Sequence, residues 1–150
     1  MAKENAMAES YNPDSVWSPF GVFSMMVIQG AGQIVHLKGQ VALDRDGAVL
    51  GAGDMRAQVR QVLDNIQTSL AAVGGRMSDV LSLVQHTTDI DAFMQSGDIR
   101  AGFFSAPFPV TTTIEVKRLY DPALLIEITA VAEIPLERFS RPDNARAMHG

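Results

Sequence analysis

Phe108-Pro109-Val110-Thr111-Thr112-Thr113-Ile114-Glu115-Val116-Lys117-Arg118-Leu119, followed shortly by Ile126-Glu127-Ile128-Thr129-Ala130-Val131-Ala132, is the stretch that decides the fold. Both segments are rich in β-branched residues and alternate at the two-residue period of a strand. Pro107 and Pro109 hold the entry as a loop, because proline restricts itself and the residue before it. Tyr120-Asp121-Pro122 breaks the pattern between them. The spacing predicts two strands, Val110–Leu119 and Leu124–Glu133, that close the domain as a hairpin.

Upstream, strand and helix signals alternate. Val22 to Ile28 is apolar and strand-like, Gly30 and Gly32 frame a turn, and Gln33 to Leu43 alternates as a second strand. Asp44-Arg45-Asp46-Gly47 is a turn sequence. Asp54 can cap a helix whose apolar residues recur at Val59, Val62, Leu63, Ile66, Leu70 and Val73, the 3–4 spacing of a core-facing stripe. Gly74-Gly75 ends that helix. Val80 to Thr88 reads as a strand, and Asp91 to Phe104 as a second helix weakened by Gly97. The order β-β-α-β-α-β-β, with room for a further short early strand, predicts an α+β sandwich with both helices on one face of a single sheet.

One hundred and fifty residues suit a single domain. Residues 1–15 read as a flexible arm, 16–137 as the domain and 138–150 as a flexible tail whose three arginines are solvated or touch a neighbour. A net charge of −5 gives no basic field for nucleic acid. The absence of cysteine excludes disulfides, thiolate nucleophiles and cysteine-based metal sites, and fits a cytoplasmic setting. No segment is apolar and long enough to span a bilayer or to act as a signal peptide. Gly30-x-Gly32 is a turn rather than a nucleotide loop, since no helix follows it.

Side chains i and i+2 of a strand share a face. With Val110, Thr112, Ile114 and Val116 toward the helices, the other face would carry His36, Lys38, Gln40, Thr111, Thr113, Glu115, Glu127 and Thr129. Such a face can stand open to water, or it can line a cleft or subunit interface, a reading that Leu125 and Val131 on the same face favour.

The two segments quoted first resemble the closing β-hairpin of the RidA (YjgF) family of reactive intermediate deaminases. Ser18-Pro19-Phe20 resembles the family's Gly-Pro-Tyr, and Lys38-Gly39-Gln40 its Ser-Gly-Gln. Gln58 to Leu70 resembles its long helix, Asp89-Ile90-Asp91-Ala92-Phe93 its Asp-Leu-x-x-Phe, and Phe103-Phe104 its paired aromatics. The match runs from about Trp17 to Ile134. The resemblance implies a chorismate-mutase-like fold and a homotrimer whose three sheets form a central barrel, with ligand clefts between subunits. It also implies hydrolysis of enamines and imines to a carbonyl compound and ammonia, with no metal or organic cofactor.

The family's active-site side chains are mostly replaced. Its Tyr falls on Phe20, its Ser on Lys38, the helical Asn on Gly97, the carboxylate-binding Arg on Thr111 and the Cys on Thr113. The Glu of the last strand is kept as Glu127. Replacing a guanidinium by the hydroxyl of Thr111 forfeits a charge-assisted bond worth on the order of 1.5–3 kcal/mol. Backbone groups at Gly39 and Thr113 survive any side-chain change.

The candidate set is therefore Glu127 as the catalytic group, with Lys38, Gly39, Thr111, Thr113, Phe20 and Gly97 as substrate-binding positions and no metal. Glu127 either activates water or is a structural carboxylate paired with Lys38 or Arg118. Lys38 either replaces the missing Arg as an anion anchor or is a solvated lysine. Thr111 and Thr113 either bind ligand or are simply good strand residues. His36 and His86 lack metal-ligand spacing, and His149 lies in the tail. Two functions follow: a diverged hydrolase or deaminase acting on the C–N bond of an imine or enamine, or a non-catalytic trimeric protein binding a small ligand in the inter-subunit cleft. Neither needs nucleic acid or a membrane.

Overall fold

The last strand of the domain sits in the interior of its sheet. A computed structural model describes residues 7–142 and runs β1 (Glu9–Tyr11), β2 (Met26–Ile28), β3 (Gln33–His36), α1 (Met55–Ala71), β4 (Val80–Thr87), α2 (Ile90–Met94), α3 (Gly97–Phe103), β5 (Val110–Glu115) and β6 (Ile126–Ile134). The main sheet has the order β3-β6-β4-β5, and β1 pairs with β2 in a separate ribbon. β6 is antiparallel to both β3 and β4, while β4 and β5 run parallel. The expected closing hairpin is therefore not formed. β5 and β6 are neighbours in sequence, but β4 lies between them and gives each a complete ladder.

Ile126, Ile128, Ala130 and Ala132 of β6 are buried. They meet the stripe of α1, where Val59, Val62, Leu63, Ile66 and Leu70 are buried as the 3–4 spacing predicts. The Asp54 carboxylate accepts from the Ala57 N–H (3.1 Å) and caps the helix. Past the helix end Gly74 adopts φ +83° beside the Arg138 carbonyl, where a side chain would find neither space nor an allowed backbone. The helices cover one face of the sheet, as expected. The second helix divides into α2 and α3: Ser96 donates its hydroxyl to the Ala92 carbonyl (3.1 Å) and Gly97 follows, so the first helical run stops and a new one begins.

Other segments are shorter than their patterns predict. Strand pairing in Val22–Ile28 is confined to Met26–Ile28, which pair with Glu9–Tyr11. The segment expected to be a loose arm thus carries a strand. β3 stops at His36, because an extra residue is inserted between Leu37, whose N–H donates to Ala130, and Gln40, which bridges to Ile128. At the other end, Arg138 makes two bonds to Asp79 (2.6 and 2.9 Å) and one to the Gly74 carbonyl (2.7 Å), so this arginine is engaged by its own chain. Arg146 and His149 lie outside the described residues.

Gln58 of α1 is fully buried and makes three hydrogen bonds. Its amide donates to the carbonyls of Gly51 (3.2 Å) and Ala123 (2.8 Å), and its oxygen accepts from the Leu125 N–H (2.8 Å). Gln58→Leu would leave three backbone groups without partners. It is expected to lower the unfolding free energy by about 3 kcal/mol, measured by urea titration. A loss below about 1 kcal/mol would mean that water replaces the amide.

Candidate functional site

The register of β6 fixes where Glu127 points. Since Ile126 and Ile128 face the helices, Glu127 projects from the opposite face, directly across from His86 of β4. Its carboxylate lies against Gly39, where an added Cβ would stand 2.9 Å from Glu127 Cδ and collide with Oε2. Gly39 belongs to the bulged stretch after β3, and its missing side chain gives the carboxylate its space. Glu127 makes no ion pair or hydrogen bond within the described residues. Neither partner considered from sequence holds it: Arg118 donates to the Leu119 and Tyr120 carbonyls, and Lys38 is exposed.

The threonines of β5 lie on the other side of the sheet, which corrects the expected facing. In the parallel ladder Leu83, Gln85 and Thr87 stand beside Thr111, Thr113 and Glu115. Leu83 also pairs with Ala130, Gln85 with Ile128 and Thr87 with Ile126, all on the helix side. Two side-chain bonds agree: Gln85 Nε2 donates to Thr113 Oγ1 (2.9 Å), and the Ile90 N–H at the start of α2 donates to Glu115 Oε1 (3.1 Å). The apolar residues of β5 thus face away from the helices, and Ile114 is 44% exposed. Gln40, paired with Ile128 after the bulge, also leaves the expected polar face. His36, Glu127 and Thr129 remain there, joined by His86. The alternation of β4 could have placed His86, but the buried polar residues Gln85 and Thr87 hide its phase.

Phe20 stands 77% exposed, in ring contact with Trp17 (5.6 Å between centroids) and Phe23 (5.2 Å). Its segment is tied to the start of β5 by the Ser24 N–H, which donates to the Pro109 carbonyl (2.8 Å). Gly97 opens α3. Lys38 and Gly39 border an open groove of about 990 Å3 whose far wall is Asn65, Thr68 and Ser69 of α1. Among the described residues no group of three or more His, Asp and Glu side chains is placed to hold a metal ion, and no helix is long and apolar enough to cross a membrane.

The candidates therefore fall into two groups. Glu127 and Gly39 lie at the β3 side of the sheet, on the face without helices. Thr111 and Thr113 lie on β5, the opposite outer strand, facing the helix side. Two strand spacings, about 10 Å, and the sheet itself separate β6 from β5. One copy of the chain does not bring the two groups together.

A four-stranded mixed sheet with helices on one face defines a class of small α+β domains. The chain belongs to the RidA/YjgF family: residues 15–134 match the family model described as Endoribonuclease L-PSP. A RutC family protein of Pyrococcus horikoshii is 31% identical over 126 residues, covering 84% of this chain and 98% of the relative. One from Sulfurisphaera tokodaii is 33% identical over 113 residues, 75% of this chain and 88% of that protein. The crystal structure of the Rid family protein YyfB from Yersinia pestis superposes with a TM-score of 0.77 at 32% identity, covering 85% of this chain and 98% of that one. The YjgF-like fold expected from sequence is thus the fold of the chain.

The Gly39–Glu127 contact is open to a direct test. Gly39→Ala is expected to destabilise the protein by about 1–3 kcal/mol through overpacking against the carboxylate. In a Glu127→Ala background the same change should cost little, since the clash is gone. A double-mutant cycle by urea unfolding reads the coupling, and additive effects would show that Gly39 is required for another reason.

Proposed function

We propose that this chain is a diverged Rid-type hydrolase that adds water to the C=N bond of a small imine, directly or after an enamine tautomerises to one, and releases a carbonyl compound and ammonia. The single observation that supports this most is the Glu127 carboxylate, unpaired and set beside backbone. A carboxylate free of an ion pair can accept a proton from water as that water attacks the imine carbon. The adduct is a carbinolamine. Glu127 returns that proton to the former imine nitrogen, the carbinolamine hydroxyl then passes its own proton through the Glu127 carboxylate to the same nitrogen, the C–N bond breaks, ammonia leaves and the carbonyl forms. Atoms and charge balance without a redox step or a cofactor.

The reaction site in this proposal is shared between copies. Glu127 and Gly39 of one chain face Thr111, Thr113, Gly97 and Phe20 of the next, in a homotrimer whose sheets enclose a central barrel. The separation of the two groups within one chain favours such sharing. The family description carries the word endoribonuclease, but a net charge of −5 is unsuited to RNA, and we assign a small-molecule substrate. The lack of cysteine fits action in a reducing cytoplasm. A second reading is favoured by the replacements at Phe20, Lys38, Gly97, Thr111 and Thr113: a trimer that binds a small ligand in the same cleft without turning it over.

The test generates short-lived imines from several amino acids with an amino-acid oxidase and times their decay. The expected result is acceleration by the parent protein and a fall of about a hundredfold or more in Glu127→Gln. Gly97→Trp, which fills the other half, should also be inactive. Reassembly of the two inactive variants together should restore part of the activity, since mixed assemblies contain sites with both halves intact. No acceleration of any imine by the parent protein would favour the ligand-binding reading. Failure of the mixture to recover would reject a shared site.

A further inference from the structure

Among the described residues two buried side-chain polar atoms have no hydrogen-bond partner, Gln85 Oε1 and Arg100 Nε. Each adjoins a candidate position, one on β5 and one on α3. Gln85 is the donor to Thr113. Arg100 Nη2 stands 3.7 Å from where a side chain on Gly97 would begin. Folded proteins satisfy nearly all buried polar atoms, so an orphan beside a candidate position marks a side chain whose polar partners a single chain does not fully supply.

Arg100 is the more informative of the two. Its guanidinium carbon sits 4.3 Å from the centre of the Phe93 ring, a cation–π contact that holds the group over the aromatic face. Burial pushes its pKa down, yet a guanidinium remains protonated at neutral pH. The chain therefore keeps a poorly solvated positive charge on α3. Its sequence neighbour Asp98 does not neutralise it, because Asp98 accepts two bonds from Arg56 (2.9 and 2.7 Å), which hold that carboxyl at about 2. No acidic side chain pairs with Arg100 among the described residues. A partly buried cation without a counter-charge is costly unless a counter-charge arrives.

We propose that Arg100 is the anion-binding group of the cleft, receiving the carboxylate of a small substrate or product from α3 rather than from β5. This deepens the function proposed above and rests on the same cleft. The two Nη–H groups can form the paired bonds that a carboxylate accepts from arginine. Gly97, with no side chain, leaves the approach to the guanidinium open. Thr111 and Thr113 then add neutral hydroxyls to a site whose charge lies on the helix. Lys38 is then not needed as the anion anchor.

The test is calorimetric titration of the whole protein with 2-oxobutyrate and with its neutral amide. The parent protein should bind the anion at least about tenfold more tightly than the amide. Arg100→Gln should weaken the anion roughly ten- to hundredfold and leave the amide unchanged. Arg100→Lys should keep part of the preference. Arg100→Met preserves the stem that packs on Phe93 and replaces the Gln variant if that one does not fold. Equal binding of anion and amide by the parent protein, or an anion preference that survives in Arg100→Gln and Arg100→Met, would overturn the proposal. So would an unchanged titration accompanied by dissociation of the assembly, since the counter-charge would then be an acidic side chain of a neighbouring copy. Turnover that depends on Glu127 with titrations indifferent to Arg100 would remove this inference and leave the reaction standing. An Arg100-dependent anion preference without turnover of any imine would do the reverse.

Discussion

The alternation of β6 is the constraint on which the other features depend. Ile126, Ile128, Ala130 and Ala132 are removed from water together, and a one-residue slip would expose all four while burying Glu127 and Thr129 against α1. Burial of that row locks the register with β3 on one side and β4 on the other. The position of Glu127 follows from it, as does the phase of β4, and through β4 the phase of β5. The catalytic candidate is thus positioned by hydrophobic burial of its neighbours rather than by bonds of its own. That leaves its carboxylate free to take part in chemistry.

Elements defined by a strong local pattern were legible in the sequence. The stripe of α1, its Asp54 cap and the turn at Asp44–Gly47 depend on residues close in the chain. The facing of β5 was not legible, because it is set by its partner strand and not by its own composition. Val110 and Ile114 would point inward if burial in a single chain were the only influence. As an edge strand in parallel with β4, β5 inherits the phase of Leu83, Gln85 and Thr87, and two of those three are polar. The closing hairpin failed for a related reason: adjacency in sequence favours pairing, but a central strand with two open ladders accepts β3 and β4 and leaves β5 outside.

The candidate site was legible in its backbone and less so in its side chains. Gly39 and Glu127 meet in the structure, and the collision awaiting any Cβ at residue 39 explains why glycine stands there. Phe20, Lys38, Gly97, Thr111 and Thr113 suggested a cleft stripped of its polar equipment. Arg100 was passed over because an arginine in a short helix usually reads as a solvated charge. Nothing local in the sequence says that Phe93 lies beneath it or that Arg56 occupies Asp98. Its significance comes from three elements, α1, α2 and α3, packing together.

Under the proposed arrangement these replacements form one pattern. An arginine at position 111 would extend from a strand whose helix-side neighbours include Leu83, Thr113 and the buried Gln85. Threonine at both 111 and 113 suits that narrow setting, and the charge moves to a helix where an aromatic ring supports it. Gly97 lies beside the same group, where a Cβ would stand in ordinary contact with the guanidinium 3.7 Å away. Under the proposal the cleft offers a positive charge to an anion and a carboxylate to water, from different copies of the chain.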